Sequence, residues 1–89
     1  MINIIYSTQF KKDFKKVRKL PIPDLKIIFE VISALEQEIT LDPKFKDHEL
    51  SGNWFNFREC HIKPDLLLIY KANKIELQLA RLGSHSELF

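Results

Sequence analysis

Four ionisable side chains and a thiol fall within seven residues at Glu59-Cys60-His61-Ile62-Lys63-Pro64-Asp65. This cluster precedes the most apolar run of the chain, Leu66-Leu67-Leu68-Ile69-Tyr70. The other two histidines, His48 and His85, lie on either side of it, and the first 47 residues contain none. Residues 46–89 are therefore expected to carry the site and residues 1–45 to serve as scaffold. On a strand, Glu59 and His61 at i and i+2 share one face. A carboxylate beside an imidazole can supply an acid and a base near neutral pH; the same pair also fits an exposed, salt-linked sheet surface. Asp65, just past the turn, could meet this cluster. His48 sits in a polar loop beside Asp47, and His85 lies two residues beyond Gly83; either could be functional or simply solvated.

Other chemistries are less well supported. The three histidines with Glu59 and Asp65 could bind zinc, but no histidine pair has a ligand spacing and strand alternation turns Cys60 away from His61, so neither a metal nor a cofactor is expected. Cys60 reads as core, where burial suppresses thiol reactivity. Two glycines cannot build a Gly-rich phosphate loop. Phe89 could anchor the tail together with Leu88 or stack on a nucleobase.

The elements that must position these residues follow from periodicity. Residues 2–6 are β-branched and aromatic and read as a strand. Ser7 is a candidate N-cap, and Phe10, Phe14 and Val17 define a helix face. Leu20-Pro21-Ile22-Pro23 ends that helix. A second helix is expected from about Asp24 to Glu38, with Leu25, Ile28, Ile32, Leu35 and Ile39 along its stripe. Residues 43–53 read as a polar loop. Alternation over 54–62 turns Phe55, Phe57, Glu59 and His61 to one face and Cys60 and Ile62 to the other. Residues 66–71 read as a central strand, apolar on both faces. Ile75, Leu77 and Leu79 begin a last strand, with Arg81 continuing their face. The order β-α-α-β-β-β predicts an α+β fold. Two helices would pack on one face of a mainly antiparallel four-stranded sheet, the other face carrying the polar residues. In such a meander His61, Arg81 and His85 gather at one end.

Eighty-nine residues suit one domain spanning 1–89. With 45% apolar and 29% charged residues the composition is globular. A single cysteine fits a reducing compartment. No apolar run is long enough to span a bilayer, and the N-terminus lacks signal-peptide features, so a cytoplasmic protein is expected. The net charge of +2 says little, but Lys11, Lys12, Lys15, Lys16, Arg18 and Lys19 lie close together, opposed only by Asp13. That stretch is either a solvated helix face or a contact surface for RNA or an acidic protein.

Several segments of the second half occur together in a known pattern. They are Lys46-Asp47-His48-Glu49-Leu50, Gly52-Asn53-Trp54, Arg58 through Asp65, Leu68-Ile69-Tyr70, and Arg81 through Phe89. In this order they resemble the YafQ-type toxins of the RelE/ParE superfamily. The resemblance implies a RelE-like fold and a bacterial type II toxin. It implies an mRNA interferase that cuts messenger RNA without a metal, usually on the ribosome, and is silenced by an antitoxin. It places His48, His61, Asp65, His85 and Phe89 at active-site positions, and Glu59 and Arg81 at positions assigned to the same site in near relatives. Lys46, Lys63 and Phe89 would hold the RNA. Cleavage would use the RNA 2′-hydroxyl as nucleophile, with His48 or His61 as leading base and His85 as acid, roles the three histidines could exchange, Asp65 orienting or sharing a proton, and Arg81 facing the phosphate. A ParE-like toxin that poisons DNA gyrase is the competing reading, because one scaffold serves both.

Overall fold

A computed structural model describes residues 2–89. Strand β1 (Asn3–Tyr6) leads into helix α1 (Thr8–Val17) and helix α2 (Ile22–Glu36). A 3-10 turn (Pro43–Phe45) precedes β2 (His48–Glu49), and a second (Gly52–Trp54) precedes β3 (Arg58–Lys63). Strands β4 (Leu66–Ala72) and β5 (Glu76–Gly83) follow, and the short helix α3 (His85–Leu88) closes the fold. The sheet order is β1-β5-β4-β3-β2, with β1 parallel to β5 and every other pair antiparallel.

The α+β class holds, and the sheet has five strands rather than four. The added strand, β2, is only two residues long, too short to leave an alternation in sequence. The strand expected at 54–62 starts instead at Arg58. Gly52 and Asn56 adopt positive φ of 67° and 74°, so Trp54 to Phe57 form a turn whose aromatic alternation is not that of a strand. Helix α2 begins earlier than expected, with Pro23 in its first turn, where a missing N–H costs nothing. It ends before Ile39, which is exposed.

Ser7 caps α1: its hydroxyl accepts the Phe10 amide at 2.9 Å and donates to the Ala80 carbonyl at 2.8 Å. Between the helices and the sheet lies the main core, where Phe10, Val17, Ile28 and Ile32 meet Cys60, Ile62, Leu68, Leu77 and Leu79. The opposite face is not simply polar. Leu67, Ile69 and Leu88 form a second, smaller core there, flanked by Leu50, Trp54, Phe57 and Ala80.

β5 changes parity part-way along. Its pairing with β4 shifts so that Tyr70 faces Leu79 but Ile69 faces Arg81, leaving an extra residue at Ala80. Leu82, not Arg81, therefore returns to the face of Leu77 and Leu79. β1 pairs only as far as Leu79. Past that point α1 takes over the edge: buried Asp13 accepts the Leu82 amide at 3.0 Å and the Arg81 Nε at 2.8 Å.

Candidate active site

β2 brings His48 directly opposite Glu59 on β3. His61, two residues along β3, stands on the same face. The Glu59 Oε1 lies 3.5 Å from His48 Nε2 and 3.2 Å from His61 Nε2, and the two imidazole centroids are 6.1 Å apart. Glu59 is only 5% exposed, which rules out a freely solvated surface pair. Its carboxylate is shared by two imidazoles that remain open to solvent, and both hold their Nε2 toward it. His48 Nδ1 donates to the Lys46 carbonyl at 2.6 Å, which fixes the ring orientation. With Nδ1 as donor, the Nε2 contact to Glu59 is attractive when that nitrogen is also protonated.

The loop carrying His48 is clamped from behind. The Asp47 carboxylate accepts the Tyr70 hydroxyl at 2.5 Å and Arg58 Nε at 3.3 Å. Burial raises the Tyr70 pKa and the Asp47 hydrogen bond adds to the rise, so the hydroxyl stays a donor. This network joins residues far apart in sequence, and no local signal marks Asp47 or Tyr70 as part of it.

His85 approaches from the other side. His61 faces Leu67 on β4, and Leu67 faces Gly83 on β5. Two strand spacings of about 4.8 Å each therefore separate the His61 backbone from Gly83, two residues before His85. α3 carries His85 and Phe89, whose ring centroids are 5.1 Å apart. A capping box holds this helix: the Ser84 amide donates to Glu87 Oε1 at 2.9 Å, and the Ser84 hydroxyl accepts the Glu87 amide at 3.4 Å. Ser84-x-x-Glu87 was the sequence signal for it. A Cβ at Gly83 would lie 3.1 Å from Glu87 Oε1, so glycine leaves room for the cap. Asp65 joins here, its carboxylate accepting the His85 amide at 3.2 Å. It thus orients the His85 backbone and makes no hydrogen bond to the imidazoles of the trio.

The remaining candidates separate. Arg81 lies at the outer edge of β5, its guanidinium on Asp13, a hydrogen bond that raises its pKa. It does not continue the Leu77/Leu79 face, because the β5 bulge intervenes. Lys63 is paired with Asp24 of α2 at 2.9 Å, whereas Lys46 is exposed in a left-handed turn at φ 50°. Phe89 is half exposed, and the tail is anchored by Leu88. Cys60 is fully buried, and burial pushes its thiol up to about 12, so it has no nucleophilic role.

Of the five residues considered as zinc ligands, three come together. The ligand atoms of His48, Glu59 and His61 lie within 4.8 Å of one another, close enough to hold one metal ion. Spacing could not show this, because His48 reaches the pair through the β2–β3 contact. Two imidazoles and a carboxylate suit zinc or copper.

The match to known proteins extends over the whole fold. The model of the family described as bacterial toxin of type II toxin–antitoxin system, YafQ, matches residues 2–89. This chain belongs to the YafQ family of type II toxins. It is 34% identical over 87 residues to the Escherichia coli K12 protein named mRNA interferase toxin YafQ, covering 98% of this chain and 95% of that one. A metal-bound toxin from Helicobacter pylori superposes with a TM-score of 0.88 at 47% identity over 100% of both chains. The toxin of the E. coli DinJ–YafQ toxin–antitoxin complex gives a TM-score of 0.85 at 35% identity, covering 99% of this chain and 97% of that one.

Proposed function

We propose that this YafQ-family toxin is an endoribonuclease that cuts messenger RNA by acid–base catalysis, as the name of its E. coli relative states for that protein. The observation that carries the proposal is the pair of titratable groups on either side of the β4 end: the Glu59-linked His48 and His61, and His85 on α3. Cleavage of an RNA strand by its own 2′-hydroxyl requires one group to take that proton. It requires another to protonate the departing 5′-oxygen, on the far side of the phosphorus. His61 or His48 serves as the base, with Glu59 holding the pair in place, and His85 serves as the acid. Each contributes about 10²–10⁴-fold. Asp65 sets the start of α3 and so the direction of His85. Arg81, held by Asp13, supplies positive potential from the β5 side. Phe89, its ring tilted against that of His85, offers its free face to the adjoining base, and Lys46 and Lys63 meet the RNA backbone.

The trio also fits a transition metal, and an ion held there would act as a Lewis acid toward phosphate oxygen. The proton transfers assigned above use the same side chains without it.

The partners follow from the same reading. The six cations between Lys11 and Lys19 are all exposed, while Asp13, the one acid among them, is buried against Arg81. That leaves a predominantly basic surface suited to an acidic antitoxin segment. The messenger would be presented by the ribosome, in the cytoplasm. Among the described residues no helix is long and apolar enough to cross a membrane.

Primer extension on a defined messenger, with and without ribosomes and in excess chelator, tests the proposal. Cuts that persist in chelator and vanish in His85→Ala are expected. Full activity of His85→Ala overturns its role as acid, and cuts abolished by chelator overturn the metal-free route.

A further inference from the structure

A cleft of about 450 Å³ opens beside His61, between α2, the Pro43–Phe45 turn and the end of β3. Its size falls within the range of small-molecule sites, roughly 300–1,000 Å³. Ile27, Phe45, Ile62 and Pro64 give it an apolar lining. Lys44, Lys46 and Lys63 also line it, opposed by Glu30. Lys63 is paired with Asp24 and can meet the RNA only as part of that pair. Among the described residues neither Lys44 nor Lys46 has an ion-pair partner. Lys44 Nζ hangs over the Phe45 ring at 5.2 Å. The cleft is joined to the site at two points. His61 belongs to both, and Lys46, which lines the cleft, accepts His48 Nδ1 at its carbonyl.

An apolar pocket also lined by cations that lack an ion-pair partner among the described residues matches a nucleotide: a flat, weakly polar base and a phosphate at its edge. We propose that this cleft binds the nucleotide next to the cut bond. Its base lies against Ile27 and Phe45, and its phosphate on Lys44 and Lys46. The inference rests on the nuclease reading for the direction of the chain, and adds Lys44, Phe45 and Ile27 to the residues that hold RNA. A strand entering here passes His61 and leaves over β4 toward His85 and Phe89.

The test measures binding apart from cleavage. A short oligoribonucleotide, 2′-O-methylated throughout, cannot supply the attacking hydroxyl and stays intact. Its affinity is measured by fluorescence anisotropy over a range of salt for wild type, Lys44→Ala, Lys46→Ala and the control Lys74→Ala, an exposed lysine in the β4–β5 turn. Each lost phosphate contact lowers the slope of log affinity against log salt by about 0.7 for a single strand. That drop is expected for Lys44→Ala and Lys46→Ala and not for Lys74→Ala. A thiouridine-bearing version, irradiated in complex with the protein, is expected to cross-link to Ile27 or Phe45. Unchanged slopes, cross-links confined to residues outside the cleft, or no binding by wild type overturns the proposal. Wild type that binds as expected but cuts no unmodified messenger overturns the nuclease reading and leaves the cleft assignment standing.

Discussion

The two faces of the sheet are built from the same strands and do opposite work. On the helix side, Cys60 and Ile62 of β3 sink into a core that also takes Leu68, Leu77 and Leu79, and helices close it over. On the other side, Glu59 and His61 of the same strand stand beside a patch of only three buried apolar residues, Leu67, Ile69 and Leu88. The large core supplies the stability. The small one is thick enough to hold α3 and the Trp54–Phe57 turn, and thin enough to leave the imidazoles reachable. The difference teaches how a chain this short carries a site: burial is concentrated on one face so that the other can hold titratable groups.

Substitutions on the two faces should therefore separate activity from stability. The largest effect is expected for His61→Gln, which should lower the cleavage rate by about 10²–10⁴-fold while leaving the urea midpoint unchanged. Loss of stability in step with loss of rate would show that His61 is structural. Leu68→Ala on the helix face should cost about 2–5 kcal/mol in urea denaturation. The folded fraction of that variant should keep wild-type activity. Leu88→Ala should cost less, near the ~2 kcal/mol lower end of that range. It should nonetheless reduce cleavage strongly, because His85 and Phe89 lose their anchor; equal activity in the two leucine variants would break the comparison.

Asp13 gives a smaller, pH-dependent effect. Burial alone would raise its carboxyl, but hydrogen bonds from Arg81, the Leu82 amide and Gln9 outweigh it and hold it below the ordinary 3.8. A depressed carboxyl adds stability above its unfolded value and loses it as pH falls through the folded one. Urea midpoints of wild type should thus decline as pH drops below about 3.8. Asp13→Asn should be weaker at neutral pH and flatter in acid; parallel curves would mean that the ion pair adds nothing. The smallest effect is at Cys60, which should resist iodoacetamide at neutral pH in the folded protein and react only after unfolding. Rapid labelling of folded protein would place the thiol outside the helix-side core.

Much of this contrast was legible in the residues. The alternation of Glu59-Cys60-His61-Ile62 assigned one face to chemistry and the other to core, and Cys60 lies where it placed it. Ser7 marks the start of α1 through a hydrogen bond that reaches only three residues along the chain, whereas the expected tail after Gly83 is the helix α3, whose only local signal is the Ser84-x-x-Glu87 box. The positions of β2, of the β5 bulge and of the Phe57 turn were not legible. Each depends on a pairing register or a positive φ that leaves no period in the sequence.

By itself, then, the sequence determined the two long helices and the strands β1, β4 and β5, which face of β3 is apolar, and which residue types are available for acid–base work. Those properties follow from side-chain periodicity and from capping within one turn, and neither needs a distant partner. Tertiary structure alone decided that His48 faces Glu59, that Asp13 turns inward to Arg81, that Asp65 reaches the start of α3, and that a cleft opens beside His61. These contacts join residues between 11 and 68 positions apart, and only closing the sheet and docking the helices sets their distances.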